Sequence, residues 1–163
     1  EGAASELANF KGYRHRQQIF VRDGVLVIDD SYNASPDSMR AALSILREMK
    51  DRRRIAVLGD MKELGAAETE LHREIGAELA AAEGADCVFT LGELAGALAA
   101  ALREHCKAAY RPELKCFTKR EELFTALKET VKPGDALLFK ASNSMKFSEL
   151  ADYFSGQGER GEH

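Results

Sequence analysis

The sequence has no tryptophan, only three prolines and only three cysteines. The cysteines, Cys87, Cys106 and Cys116, are odd in number and lack C-x-x-C spacing, which favours reduced, partly buried thiols in a cytoplasmic protein. No stretch approaches the ~20 apolar residues of a membrane span. A formal net charge of −4 argues against a nucleic-acid-binding surface. The four histidines show no metal-ligand spacing, so we expect no metal site.

Motifs for phosphate binding and nucleophilic catalysis are also missing. There is no G-x-x-x-x-G-K-[ST] phosphate loop and no G-x-G-x-x-G dinucleotide fingerprint. The G-x-S-x-G nucleophile elbow of hydrolases is absent as well. Any nucleotide chemistry in this chain must therefore depend on groups supplied from outside it.

Short apolar runs alternate with stretches of helical periodicity. The runs read as strands and begin at Val25, Ile55, Cys87, Lys115 and Ala136. Several are apolar on both faces, as strands of a parallel sheet covered by helices are. This pattern predicts an α/β fold with a doubly wound, mostly parallel Rossmann-like sheet. Residues 13–24 alternate in polarity and end in Asp23-Gly24, which predicts an N-terminal antiparallel hairpin strand.

Helices are predicted between these strands. Pro36, preceded by Ser35 as the cap, begins the first of them. Helical periodicity over residues 68–83 and 92–105 predicts the next two.

The caps of the last two helices and a tail are also predicted. The sequence TKRE at residues 118–121 fits a capping box before the fourth helix. Ser144 is expected to cap the last helix, which runs through Phe154. Residues 155–163 are Gly-rich and charged, so we expect a disordered tail.

Polar side chains follow the predicted strands at the point where each strand ends. Open α/β sheets bind ligands outside the carboxyl ends of their strands, so these side chains mark the candidate site. For Asp60 and Glu63 the favoured interpretation is that they are helix-capping acids, and Ser142 could be only a turn or cap residue. The strand-end residues, in chain order, are Asp29, Asp30, Tyr32, Asn33, Gly59, Asp60, Met61, Glu63, Gly92, Glu93, Lys140, Ser142 and Asn143.

Three segments resemble, in order and spacing, the third domain of the Mur ligases of peptidoglycan synthesis. They read IDDSYNASPDSMRAAL, VLGDMKELG and LLFKASNSMKFSEL. The first is typical of the branch of the family that joins D-alanyl-D-alanine to UDP-N-acetylmuramoyl-tripeptide. The resemblance implies that residues 1–154 form one C-terminal domain. It also implies that the uridine-nucleotide and ATPase domains of the family are absent from this chain.

Other functions share this architecture and remain open. A folylpolyglutamate-synthase-type ligase domain is the closer alternative, although its motif after the first strand differs. A receiver-like signalling module would need a phospho-acceptor aspartate after the third strand, where this sequence has Gly92 and Glu93. A free-standing nucleotide-binding module without catalysis is the third alternative.

The resemblance implies an ATP-dependent ligase whose Mg²⁺ is held mainly by the missing central domain. In such ligases ATP phosphorylates the tripeptide carboxylate. The amine of the dipeptide then displaces phosphate from the acyl phosphate, which leaves an amide, ADP and inorganic phosphate. This chain would complete the site when it closes on the ATPase domain, and alone we expect it to be inactive. No complete catalytic set and no metal ligand is expected within it.

The resemblance also implies roles for individual residues. Asp30, with Asp29 as second choice, would accept hydrogen bonds from the ribose of ATP. Arg14 would lie beside the nucleotide, with Arg16 as its rival, and Asn33 is expected to line the ATP site. The expected dipeptide site consists of Tyr32, Asn33, Lys140, Ser142 and Asn143.

Overall fold

A six-stranded sheet forms the centre of the protein in the computed structural model, which describes residues 14–157. The strand order across the sheet is β1-β2-β6-β3-β4-β5. β1 pairs with β2 in the antiparallel sense, and the other neighbouring strands are parallel. The predicted fold class is therefore confirmed. The strands are β1 (Gln18–Arg22), β2 (Val25–Asp29), β3 (Arg53–Gly59), β4 (Cys87–Leu91), β5 (Glu113–Phe117) and β6 (Asp135–Lys140).

Helices cover both faces of the sheet. Consecutive residues of a strand point to opposite faces, so Ile28 packs under α1, α2 and α3 while Val27 packs under α4 and α5. This double burial explains why the strands are apolar on both sides. Within residues 14–157, no helix combines the length and the apolar character needed to cross a membrane. The helices are α1 (Pro36–Arg47), α2 (Glu68–Ala82), α3 (Glu93–His105), α4 (Arg120–Thr130) and α5 (Phe147–Ser155), with 3₁₀ turns at Gly65–Ala67 and Asn143–Met145.

The hairpin joining β1 to β2 turns at Asp23-Gly24, as predicted. Both residues are left-handed, with φ of 53° and 81°. A two-residue turn of this kind matches the twist of antiparallel strands. Arg22 therefore pairs with Val25, and the register continues to the pair of Gln18 and Asp29.

Of the predicted caps, that of α1 is confirmed and the two later ones are wrong. Ser35 accepts a hydrogen bond from the Ser38 N–H, and the Ser38 hydroxyl accepts from the Ser35 N–H. α4 has Lys119 as its N-cap and no side-chain cap among the described residues. Thr118 thus lies one residue too early to reach the first turn.

The last helix begins later than its predicted cap requires. Ser144 belongs to a 3₁₀ turn, and the left-handed Lys146, with φ of 60°, separates that turn from α5. α5 ends at Ser155, and residues 158–163 of the predicted tail lie outside the described part of the chain.

α2 and α3 approach closely at Gly76. A Cβ atom there would lie 2.1 Å from the carbonyl oxygen of Leu98, which is backbone and cannot move aside. Gly76 is buried in α2, where glycine is otherwise unfavourable. The close contact of the two helices therefore depends on a missing side chain.

We expect Gly76→Ala to destabilise the fold by about 1–3 kcal/mol, because the added methyl group must push the helices apart. Urea unfolding of the chain measures this. Gly96→Ala, near the start of α3, is the matched control, since a Cβ there meets nothing within 4 Å. It should stabilise by about 0.5–1 kcal/mol through helix propensity. Equal effects of the two substitutions would show that packing at Gly76 does not matter.

Candidate functional site

The carboxyl ends of β2 and β6 meet at one edge of the sheet and form a cleft there. Asp29 pairs with Phe139 across the two strands, and the Asp30 N–H donates to the Phe139 carbonyl at 3.1 Å. This register brings Asp30 next to Lys140, although they are far apart in the sequence. The cleft has a volume of about 320 Å³. It is lined by the polar residues Arg16, Gln17, Asp30, Tyr32, Asn33, Ser35, Ser38 and Lys140, together with Ala34.

The floor of the cleft is a buried ion pair. Lys140 Nζ lies 2.9 Å from Asp30 Oδ2, and the two side chains are only 3% and 6% exposed. The second oxygen of Asp30 accepts from the Gln17 N–H at 3.2 Å. Burial of a charge is tolerated when it is paired and hydrogen-bonded, and both conditions are met for this carboxylate. Asp30, expected at the ribose of ATP, and Lys140, expected at the dipeptide site, are thus bound to each other.

Asp29 points away from the cleft, although it adjoins Asp30 in the chain. Its Oδ2 lies 2.6 Å from His15 Nδ1, and its Oδ1 accepts from the Ser31 hydroxyl at 2.6 Å and the Ser31 N–H at 3.3 Å. The hydrogen bond to Asp29 raises the pKa of His15 above its usual value of 6.5, partly opposed by burial. Asp29 therefore holds neighbouring parts of the chain, and is not among the cleft-lining residues.

The two arginines that the sequence left open lie in different places. Arg16 lines the cleft, and its guanidinium carbon is 4.0 Å from the centroid of the Tyr32 ring, a cation–π arrangement. Arg14 instead forms an ion pair with Asp152 on α5, at 3.3 Å between Nη2 and Oδ2. Of the two, Arg16 is the one in position to touch a ligand in the cleft.

Ser142 and Asn143 follow β6 and do not line this cleft. They form a second lip of the same edge of the sheet, next to the cleft. The Ser142 hydroxyl accepts from the Lys62 N–H at 2.7 Å, and the Ser142 N–H donates to the Asp60 carbonyl at 3.0 Å. Ser142 is buried and ties the exit of β6 to the exit of β3. Asn143 is exposed at the start of the adjacent 3₁₀ turn.

The acid after β3 is a helix cap, though not for the helix that follows it in sequence. Asp60 Oδ1 accepts from the Ala95 N–H at 2.7 Å, in the first turn of α3. Gly92 makes room for that carboxylate, because a Cβ there would lie 2.3 Å from Asp60 Oδ1. Glu93 begins α3, and Glu63 is exposed in a left-handed conformation with φ of 63°. The capping interpretation is correct for Asp60.

A histidine that the sequence did not single out fixes the loop after β3. His72 is fully buried in α2, and its Nε2 accepts from the Met61 N–H at 2.9 Å. Its Nδ1 lies 2.7 Å from the Glu68 carbonyl, so this nitrogen carries the proton. A buried position of helical spacing was the available signal, but the partner could not be inferred from it.

His15, Asp29 and Asp152 lie close together beside the cleft. One side-chain N or O atom from each lies within 4.8 Å of the others, but His15 Nδ1 is bound to Asp29 Oδ2 at 2.6 Å and is not free to ligate a cation. Burial raises the pKa of Asp152, and its Oδ1 has no hydrogen-bond partner among the described residues. The spacing of the histidines did not indicate this group, since its members come from distant segments.

A family model, curated proteins and solved structures match this chain. The family model described as "Mur ligase, glutamate ligase domain" matches residues 15–143. The chain is 36% identical over 152 residues to the UDP-N-acetylmuramoyl-tripeptide--D-alanyl-D-alanine ligase of Bacillus subtilis, covering 92% of this chain and 32% of that protein. It is 40% identical over 121 residues to the ligase of the same name from Synechocystis, covering 74% and 25%.

A solved structure gives the same result. The MurF ligase from Thermotoga maritima in complex with ADP matches with a TM-score of 0.71 and 28% identity, covering 96% of this chain and 34% of that one. The chain thus spans about a third of the length of the first relatives it matches.

We expect Lys140→Met to destabilise the fold by about 3–5 kcal/mol, because it leaves the Asp30 carboxylate buried without its counter-ion. The double variant Asp30→Asn/Lys140→Met removes both charges and should recover most of that loss. Urea unfolding of the single and double variants gives the coupling energy. Equal losses in Lys140→Met and the double variant would mean that the ion pair is not the cause.

Proposed function

Because the chain belongs to the Mur ligase family, we propose that it is the C-terminal domain of a ligase adding D-alanyl-D-alanine to UDP-N-acetylmuramoyl-tripeptide with ATP. The domain would comprise residues 1–154. The observation that carries the proposal is a cleft with an acid, a cation and an amide, in a chain without a phosphate loop. Such a cleft forms only part of an ATP-dependent active site, because the phosphate-binding part is not in this chain. The folylpolyglutamate-synthase and receiver alternatives are not favoured, since the relatives that match are named as D-alanyl-D-alanine ligases.

The nucleotide is proposed to bind with its ribose at Asp30. A carboxylate that accepts from a ribose hydroxyl contributes about 1.5–3 kcal/mol. Lys140 fixes the direction of that carboxylate, since its Nζ donates to Asp30 Oδ2 at 2.9 Å. Arg16, which lies on Tyr32 beside Asp30, is our choice for the arginine next to the nucleotide. Asp29 supports this arrangement from behind without contacting the ligand.

The dipeptide is proposed to contact the amide and hydroxyl groups of both lips. Asn33 Oδ1 accepts from the Ala34 N–H at 2.9 Å, which leaves the amide NH₂ directed to donate. The N-terminus of α1 lies beside it and favours a carboxylate by about 0.3–1 kcal/mol. On the other lip, Asn143 is exposed, and the Ser142 hydroxyl still has a proton to donate. Tyr32 remains a candidate for orienting the attacking amine.

In this scheme Lys140 does not bind the carboxylate of the dipeptide directly. Its ammonium group is 3% exposed and already paired with Asp30. It therefore acts on the dipeptide only if the pair opens, and otherwise acts through Asp30. Its placement favours the second role.

Closure of this domain on the ATPase domain would bring the two halves of the site together. The phosphate loop and the main ligands of Mg²⁺ would come from that domain, since the acid of the cleft is already paired. Holding the amine next to the acyl phosphate replaces several kcal/mol of association entropy. The physical contribution of this chain is therefore positioning, and closure commits the substrates to react.

In the full ligase, Asp30→Asn and Asn143→Ala should separate the two substrates. Asp30→Asn is expected to raise KM for ATP about 10- to 100-fold, because it weakens a charge-assisted hydrogen bond. Asn143→Ala is expected to raise KM for the dipeptide about 2- to 10-fold, the effect of one neutral hydrogen bond. Steady-state kinetics with each substrate varied in turn measures both.

Each variant is a control for the other, and Asp51→Asn supplies a third. Asp51 is an exposed acid just before β3, at the opposite end of the parallel strands from the cleft. It should change neither constant. An unchanged KM for ATP in Asp30→Asn would rule out the ribose contact.

The purified chain alone should neither hydrolyse ATP nor form amide bonds, because no phosphate loop is present in its sequence. Phosphate release and product formation are measured with all three substrates and Mg²⁺ present. Adding the remaining domains as a separate polypeptide should restore some activity. Turnover by the chain on its own would contradict the proposal.

A further inference from the structure

We propose that His15 is a positioning residue: bound to Asp29, it fixes residues 14–17 so that Arg16 lies against Tyr32 in the cleft. The fixing of Arg16 is a property of this chain alone. Its consequence for catalysis rests on the proposed function. His15 itself is not among the residues that line the cleft.

The backbone of this segment needs support. His15 and Gln17 are both left-handed, with φ of 65° and 49°. Residues other than glycine rarely adopt this conformation, and they persist in it only when surrounding contacts hold them. Arg16 lies between the two, so its direction depends on both.

Three backbone contacts hold the segment. The His15 N–H donates to Gln18 Oε1 at 2.8 Å, and the His15 carbonyl accepts from the Tyr32 N–H at 2.9 Å. The Gln17 N–H donates to Asp30 Oδ1 at 3.2 Å. The adjacent acids at the end of β2 thus act on the same segment, Asp30 through an amide and Asp29 through the His15 ring.

The His15 ring adds a charged contact to these three, beside the ion pair of Arg14 with Asp152. Asp29 is 1% exposed and is held in place by Ser31, so it is a fixed acceptor. The groups facing His15 are Asp29 on β2, Asp152 on α5 and Arg14 on its own segment. The first two raise the pKa of His15 and Arg14 lowers it. Because the two carboxylates outweigh Arg14, the protonated ring binds more strongly than the neutral ring.

The sign of the pH dependence follows from that raised pKa. The stabilisation is complete below the unfolded-state value, about 6.5 for histidine, and is lost as the pH rises through the higher folded-state value. The neutral ring still donates its Nδ1–H to Asp29 but no longer attracts it by charge. Arg16 should therefore be less ordered on Tyr32 at alkaline pH.

Arg16 depends on this support because its stack is on the surface. Arg16 is exposed and Tyr32 is 43% exposed. Long exposed side chains lose much rotamer freedom when they are held in one place. A fixed backbone limits the positions that the Arg16 side chain can reach. The cation–π contact with Tyr32 is therefore favoured.

The positioning is tested by NMR on the 163-residue chain. The Arg16 side-chain protons should be shifted upfield by the Tyr32 ring and should lose part of that shift as the pH passes the His15 pKa. His15→Gln, which keeps a donor for Asp29, should keep a smaller shift that no longer depends on pH. His15→Ala should lose at least half of the shift.

His105→Ala is the matched control, since His105 is an exposed histidine at the end of α3. It should leave the Arg16 shift and its pH dependence unchanged. A wild-type shift that stays constant through the His15 titration, or the same pH dependence in His15→Gln, would overturn the proposal. If His15→Ala does not fold, the wild type and His15→Gln decide.

The effect on catalysis is tested in the full ligase by a double-variant cycle. His15→Ala and Arg16→Ala should each raise KM for ATP several-fold with kcat changed less than twofold. The double variant should match Arg16→Ala alone, because His15 acts through Arg16. If the two single-variant changes in KM multiply in the double variant, His15 does not act through Arg16. If the NMR shift changes but KM does not, the positioning stands and the proposed nucleotide contact of Arg16 fails.

Discussion

Two adjacent carboxylates at the end of a buried strand must each find a partner, and the shape of the cleft depends on how they do so. Asp30 turns to Lys140 and forms the floor. Asp29 turns the other way, to His15 and Ser31, and holds the chain behind that floor. An unpaired carboxylate at such a depth would cost several kcal/mol, so each acid depends on keeping its own partners.

The sheet order makes these pairings possible. β6 inserts between β2 and β3, so the last strand of the chain lies beside the first parallel one. Lys140 therefore meets Asp30, and Ser142 meets the loop after β3 through Lys62. The two lips of the edge are thus held by bonds from one short segment at the end of β6, residues 140–142. Movement of that segment would therefore shift the contacts of both lips.

Most of the fold could be predicted because it depends on patterns that are local in the sequence. Apolar runs identified the parallel strands, Asp23-Gly24 identified the hairpin, and Ser35-Pro36 identified the start of α1. The caps of α4 and α5 were wrong because a shift of one or two residues decides whether a hydroxyl reaches the first turn. The periodicity of a helix does not fix its first residue so closely.

The edge that carries the site could be predicted, but the partners of its residues could not. The sequence placed Asp30, Tyr32, Asn33 and Lys140 at strand ends, and the structure brings them to one cleft. It could not show that Asp29 faces away or that Arg14 is taken by Asp152. It also gave no reason to choose His15. These outcomes depend on contacts between distant segments, for which a single sequence carries no signal.

The ion pair of Asp30 and Lys140 leaves the floor of the cleft polar but without net charge. On the proposed function, such a floor would suit the sugar of a nucleotide, which offers hydroxyl groups, better than its anionic end. A bound nucleotide would therefore enter sugar first and leave its phosphates pointing outwards. The polarity of this one surface would thus set the direction in which the reactive end of the molecule faces, before any other domain touches it.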